Sequence, residues 1–187
     1  MASDDELVAS CLEAKQAAAH AFDELYRRHA SQVLALVNGL VRGDEHAARD
    51  ALQETFLRFY TALPSFDRGR PVRPWLLRIA RNVCFDHLKR RRNRDEVPTA
   101  PESLPDRGTT STPAEAAAGR EATALLRGAV HDLPPEELAV FLLKHDLGHT
   151  YEQVADVLSC SVRTAKYRMK AALERLGREA ERLGVEA

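Results

Sequence analysis

Between Tyr151 and Leu176 the chain reads YEQVADVLSCSVRTAKYRMKAALERL, and one side of this stretch carries the residue types that bind nucleic acid. Thr164, Tyr167 and Ala171 share a helical face, flanked by Arg163 and Lys170 on one side and Arg168 on the other. Guanidinium, ammonium and hydroxyl groups donate to phosphates and base edges, and small or aromatic surfaces fit against bases. Lys166 falls beside the apolar stripe, so its stem should follow the rim with the ammonium directed at a phosphate.

A second set lies in PWLLRIARNVCFDHLKRRR. At the helical period of about 3.6 residues, Leu76, Ile79, Ala80 and Val83 point inward. Trp75, Arg78, Arg81, Asn82, Phe85, Lys89 and Arg92 form the outward arc. Cations track a phosphate backbone and rings stack on unpaired bases, which suits contact with a duplex beside locally single-stranded DNA. Trp75, a large ring at a helix start, fits a core position equally well.

A third set is acidic. From Asp44 to Leu63, the residues Leu52, Thr55, Phe56, Phe59 and Leu63 form the buried side, while Asp50, Gln53, Glu54 and Leu57 share the opposite face. An apolar Leu57 within an acidic patch reads as a docking surface for a basic partner, against the plainer reading of a lone surface leucine.

The elements that hold these sets are helices. Thr150, three residues before Gln153, is a capping-box pattern opening a short helix; Ser159, Cys160 and Ser161 form a turn, and Ser161 caps the longer helix behind it. Val162, Ala165, Met169, Leu173 and Leu176 should pack as one stripe on Val154, Val157 and Leu158. Helix, tight turn, helix with basic residues early in the second helix is the pattern of a major-groove reader. Upstream, helices are expected from near Ser3, through AFDELYRRHASQVLALVNGLV to Gly43, and from the Asp44 cap to Pro64. Pro74 is placed as the first residue of the basic helix. A further helix ends near Asp132, and LPPEELAVFLLKHDLG starts at Pro135 and stops at Gly148.

Apolar residues recur at helical spacing from about Leu7 to Leu88 and from about Leu125 to Leu183, without sustained alternation, so an all-α fold of two small helical domains is expected. Between them DEVPTAPESLPDRGTTSTPAEAAAGRE carries Pro98, Pro101, Pro105 and Pro113 among polar residues, the composition of a flexible linker. The expected division is 1–94, a linker over 95–119, and 120–187. The 187 residues hold 27 basic and 28 acidic side chains for a net charge of −1, so polyanion binding must come from local segregation of charge.

Cys11, Cys84 and Cys160 are too scattered for a disulfide framework or zinc knuckle, which suits a reducing, cytoplasmic setting. The acidic MASDDELVAS is no signal peptide, and no apolar run is long enough to span a bilayer. His145 and His149 have metal-like spacing, but Gly148 interrupts the helix and no carboxylate motif accompanies them. No phosphate loop or nucleophile context is present, so neither enzyme, metal nor cofactor is expected.

Taken together, DALQETFLRFY, VRPWLLRIARNVCFDHLKRR, the linker and LPPEELAVFLLKHDLGHTYEQVADVLSCSVRTAKYRMKAALERL resemble the extracytoplasmic-function (ECF) sigma factors of bacteria. The resemblance implies two helical domains, regions 2 and 4, in a non-enzymatic protein that binds core RNA polymerase, recognises two promoter elements and helps open the duplex. It implies that Asp50, Gln53 and Glu54, with Leu57 on the same face, dock on the clamp helices of the polymerase's largest subunit. Arg73, Trp75, Arg78, Asn82, Asp86 and Lys89 would handle the minus-ten element and strand opening. Tyr151, Glu152, Arg163, Thr164, Lys166, Tyr167 and Arg168, with Lys170 alongside, would read the minus-thirty-five element. Val72 and Pro74 depart from the family pattern around Arg73, and Arg163 and Tyr167 from the smaller residues usual in the recognition helix. An anti-sigma factor is a further partner the resemblance suggests. The rival reading is a dimeric helix-turn-helix regulator on a palindromic site, which leaves the basic helix and the acidic face unexplained.

Overall fold

The structure, a computed structural model, describes residues 2–13, 15–93, 125 and 127–183. The N-terminal part holds α1 (Asp4–Cys11), α2 (Lys15–Leu40), α3 (Glu45–Ala62), a 3-10 turn (Leu63–Ser65) and α4 (Val72–Asn93). A helical turn over 127–131 then leads to α5 (Pro135–Phe141), a π-helical turn (Leu142–Asp146), α6 (Tyr151–Leu158) and α7 (Val162–Leu183). The fold is all-α among the described residues. The linker expected over 95–119 lies outside them.

Local chemistry sets most boundaries. Ser3 closes a capping box with Glu6 at the start of α1, and the Asp44 carboxylate accepts from Ala47 N–H at 2.9 Å to start α3. Arg42 and Gly43 take left-handed φ values of 61° and 78° to turn the chain between α2 and α3. Pro64 sits in the 3-10 turn that ends α3.

Two boundaries differ from expectation. Helix α4 starts at Val72, so Pro74 lies within the first turn and not at its first position; its missing N–H is unneeded there as well. The helix expected to run on to Gly148 leaves α geometry at Leu142 and continues as a π turn, before Gly148 ends it at φ +67°. Adjacent Leu142 and Leu143 are both buried there, and Leu142 lies against Gly39 of α2.

The core is continuous across both parts of the chain. Leu25, Leu36, Phe59, Leu76 and Val83 belong to one apolar cluster with Leu138, Leu143, Val157 and Met169. Helix α4 packs on α6, and α2 reaches α5 and the π turn. The two helical parts therefore meet face to face. Gly39 marks how closely: a Cβ built there would sit 2.5 Å from Leu142 Cδ1. All three cysteines are free thiols, and burial, with the Glu54 charge nearby, pushes Cys84 up to about 12.

Candidate nucleic-acid and docking surfaces

The helix-turn-helix forms from its caps outward. Thr150 Oγ1 accepts from Gln153 N–H at 3.3 Å, and Gln153 Oε1 accepts from Thr150 N–H at 2.9 Å. Ser159 then adopts φ 51°, ψ 44°, and its N–H returns to the Ala155 and Asp156 carbonyls. Ser161 Oγ accepts from Thr164 N–H at 3.0 Å and opens α7. The stripe holds with one exchange. Ala165 and Met169 are buried, but Leu173 is 48% exposed and Ala172 takes the core position in its place.

The opposite side of α7 faces out. Arg163, Lys166, Tyr167 and Lys170 are exposed, Tyr167 by 73%, while Thr164 is half-buried and its hydroxyl meets Ser161 Oγ at 2.8 Å. Arg168 instead turns inward and pairs with Glu136 of α5 at 2.8 Å. Lys144 and Lys166 place their ammoniums 5.2 and 5.6 Å from the Tyr151 ring, so that ring already holds two cations. Glu152 is exposed, and its hydrogen bonds to its own N–H and to Thr150 hold its carboxyl below the usual range.

On α4 the expected outward arc divides. Arg73, Asn82, Asp86 and Lys89 are exposed; the Arg92 side chain lies outside the described residues. Trp75 packs its ring on Phe66, centroids 4.6 Å apart, and on Phe59 at 5.2 Å, so much of it belongs to the core, as a ring at a helix start can. Arg81 lies 4.8 Å above the Phe85 ring. Arg78 and Arg81 do not face solvent freely; both reach the C-terminal end of α6. Asp86 pairs with Arg58 at 3.1 Å.

On α3, Asp50, Gln53 and Leu57 are exposed, Leu57 by 65%. Glu54 is engaged within the protein, accepting from Arg58 at 2.5 Å and meeting His87 Nε2 at 2.8 Å. Burial pushes this carboxyl upward, but the hydrogen bonds from His87 and Arg58 outweigh it and hold the pKa below the ordinary value. Gln53 and Leu57 border a groove of about 670 Å³, walled also by Phe22, Tyr26, Phe56 and Tyr60, which the periodicity of α3 alone does not reveal. The signal for it was a surplus: Phe22 and Tyr26 on α2 and Leu57 and Tyr60 on α3 are more large apolar groups than one helix contact can cover. His145 stacks on Phe141, and buried His149 bonds Gln153 through Nδ1 while its Nε2 is buried without a hydrogen-bond partner.

Residues 25–94 match the family model described as Sigma-70 region 2, and residues 123–176 match Sigma-70, region 4. The ECF RNA polymerase sigma factor SigC of Mycobacterium tuberculosis is 33% identical over 183 residues, covering 96% of this chain and 95% of that protein. SigE of Mycolicibacterium smegmatis is 32% identical over 163 residues, 86% of this chain; the chain spans 62% of the length of that relative. Among solved structures, CnrH in complex with the cytosolic domain of CnrY superposes with a TM-score of 0.68 at 25% identity, over 95% of this chain and 97% of that one. RpoE of Bartonella quintana, in complex with the anti-sigma factor NepR, gives 0.68 at 20% identity, over 86% and 96%, and shares the fold. The chain belongs to the ECF sigma factors of the sigma-70 family, proteins that direct RNA polymerase to initiate at particular promoters. No helix among the described residues is long and apolar enough to cross a membrane.

Proposed function

We propose that residues 1–94 dock on core RNA polymerase and handle the minus-ten element, and that residues 120–187 read the minus-thirty-five element. The observation that carries this reading is the exposed row Arg163, Lys166, Tyr167 and Lys170, set on the second helix of a helix-turn-helix within the region 4 match. Such a helix enters the major groove with its N-terminal residues on base edges. Arg163, Thr164 and Tyr167 specify, and Lys166 and Lys170 position the helix on phosphates.

Polymerase docks along the α2–α3 groove. Its apolar wall offers buried area, with Arg49 and Gln53 as its polar lining, and the exposed carboxylate of Asp50 on α3 favours a partner that carries positive charge. Glu54 supports that face from behind through Arg58 and His87. The same groove and the α6–α7 surface are the places where an anti-sigma factor, of the kind bound to RpoE of Bartonella quintana, would compete with polymerase. The protein contributes binding and positioning and no bond-making chemistry of its own.

The test is run-off transcription with purified core polymerase, followed by sequencing of the start sites. Defined starts that depend on the added chain are expected, and the Asp50→Lys, Leu57→Ser double variant should lose polymerase affinity while its own duplex binding stays. Tight dimeric binding to an inverted repeat, with no effect on core polymerase, would overturn the reading.

A further inference from the structure

The groove between α2 and α3 has two unlike ends. Phe22 meets Tyr60 at 5.3 Å between ring centroids and Tyr26 meets Phe56 at 4.6 Å, so the two helices run antiparallel along it. Arg49 therefore stands at one end, beyond the Tyr26–Phe56 pair, and Ala18 and Ala19 at the other, beyond Phe22 and Tyr60. From Arg49 to Tyr60, at about 1.5 Å per residue, the α3 wall is roughly 16 Å long. The alanines keep the far end open.

The polar groups of this trough are gathered at the Arg49 end. Apart from the tyrosine hydroxyls, its polar side chains among the described residues are Arg49 and Gln53, and no carboxylate of those residues lines it. Arg27, Arg28 and Arg58 of the same two helices each pair with a carboxylate. Arg49 is exposed and pairs with none among the described residues. Along the rest of the trough apolar surface is left in water, with Leu57, Tyr60 and Tyr26 exposed by 65%, 46% and 40%. The complement of such a surface has one anionic end and a long body with no hydrogen-bonding groups to satisfy.

We propose that the α2–α3 groove is a binding site for a straight-chain fatty acid. The carboxylate lies on the Arg49 guanidinium and the Gln53 amide, and the chain runs over Phe56 and Phe22 toward Ala19. With carbon–carbon bonds of about 1.5 Å, a length of roughly 16 Å takes about twelve carbons in extended form. The volume of about 670 Å³ falls within the range of small-molecule sites. Bound acid and docked polymerase would exclude each other, so free fatty acid would lower the amount of active complex. That consequence, unlike the site itself, rests on the docking assignment made above.

The test is calorimetric titration of the full-length chain with dodecanoate below its micelle concentration. One dodecanoate per chain is expected, with octanoate roughly tenfold weaker because four methylenes leave the apolar surface. Dodecyltrimethylammonium, which reverses the head charge, should also be about tenfold weaker. Arg49→Gln should weaken dodecanoate about tenfold, the equivalent of one charge-assisted hydrogen bond. Ala19→Trp fills the far end from an exposed position, and should weaken dodecanoate while changing octanoate less than about twofold. Circular dichroism and urea midpoints equal to the wild type show that both variants are folded. Absence of saturable binding, equal affinity for the two head charges, or wild-type affinity in both folded variants would overturn the site. Concentration-dependent dimerisation dispersed by Leu57→Ser, with no acid bound, would assign the groove to a second copy and overturn it equally. Saturating dodecanoate should also reduce core polymerase affinity at least about tenfold. If the acid binds with the stated preferences and polymerase affinity does not change, the fatty-acid site stands and the placement of polymerase in the groove falls.

Discussion

At the scale of single residues, the structure separates side chains that face solvent from those engaged within the protein. Glu54 shares a helical face with Asp50 and Leu57, yet its carboxylate is held by Arg58 and His87 within the protein. Its depressed pKa means that the folded state favours the charged form, so its contribution is present above the ordinary carboxylate range and is lost as pH falls through the folded pKa. Glu54→Gln should therefore cost about 1 kcal/mol of stability at pH 7, as a partly buried ion pair does. The difference from wild type should narrow below roughly pH 4.5. Urea unfolding at pH 7 and pH 4 checks this; an equal deficit at both would assign the loss to packing. Residues of this kind mark where sequence reading ends. Periodicity shows that Glu54, Arg78 and Arg81 are outside their own helix's core, but what they meet depends on the approach of other elements. For Arg78 that partner is 78 positions away in the chain.

At the scale of elements, legibility follows how local the cause is. Ser3, Asp44, Thr150 and Ser161 announce their helices because a cap is satisfied within three residues. The π turn after Phe141 was not legible, since Leu142 is placed by α2 and not by its own neighbours. The groove between α2 and α3 is hidden for the same reason: its walls are legible as apolar faces, but the gap between the helices is a property of their packing. The start of α6 adds a titratable element. His149 is buried beneath it, and burial, assisted by the Arg73 charge, lowers its pKa below the ordinary imidazole value, against a raising hydrogen bond to Gln153. The neutral ring is then the folded form, while the unfolded chain takes up a proton below about pH 6.5. Stability from this site is complete above that value and is lost as pH falls toward the folded pKa. The wild type should lose more stability between pH 7.5 and pH 5.5 than His149→Asn, measured by urea midpoints. Parallel slopes would place the titrating group elsewhere.

At the scale of the molecule, the expected pair of helical domains is present, but they share one core and a direct contact, which hydrophobic patterns along single helices do not encode. In that arrangement the exposed row on α7 is open while Arg78 and Arg81 on α4 are covered, so, on the assignment proposed above, engaging both promoter elements requires the two parts to separate while remaining on one chain. The reach of the segment that joins them then becomes a functional quantity. Elements named minus ten and minus thirty-five lie about 85 Å apart along a duplex at roughly 3.4 Å per base pair. A segment such as 95–119, at about 3.4 Å per residue, reaches roughly 85 Å when fully extended, whereas one cut to about eight residues reaches only roughly 27 Å. Replacing 95–119 with an equally long Gly/Ser sequence should therefore preserve run-off transcription, because length and not side-chain identity carries the requirement. Shortening it to about eight residues should abolish initiation at promoters that need both elements, while leaving polymerase affinity and duplex binding by the helix-turn-helix unchanged. The short tether should also favour the closed packing of α4 on α6 by raising the effective concentration of one part at the other. If the shortened protein initiates as well as the wild type, the two parts do not separate in use, and the minus-ten surface must then be reached without parting α4 from α6.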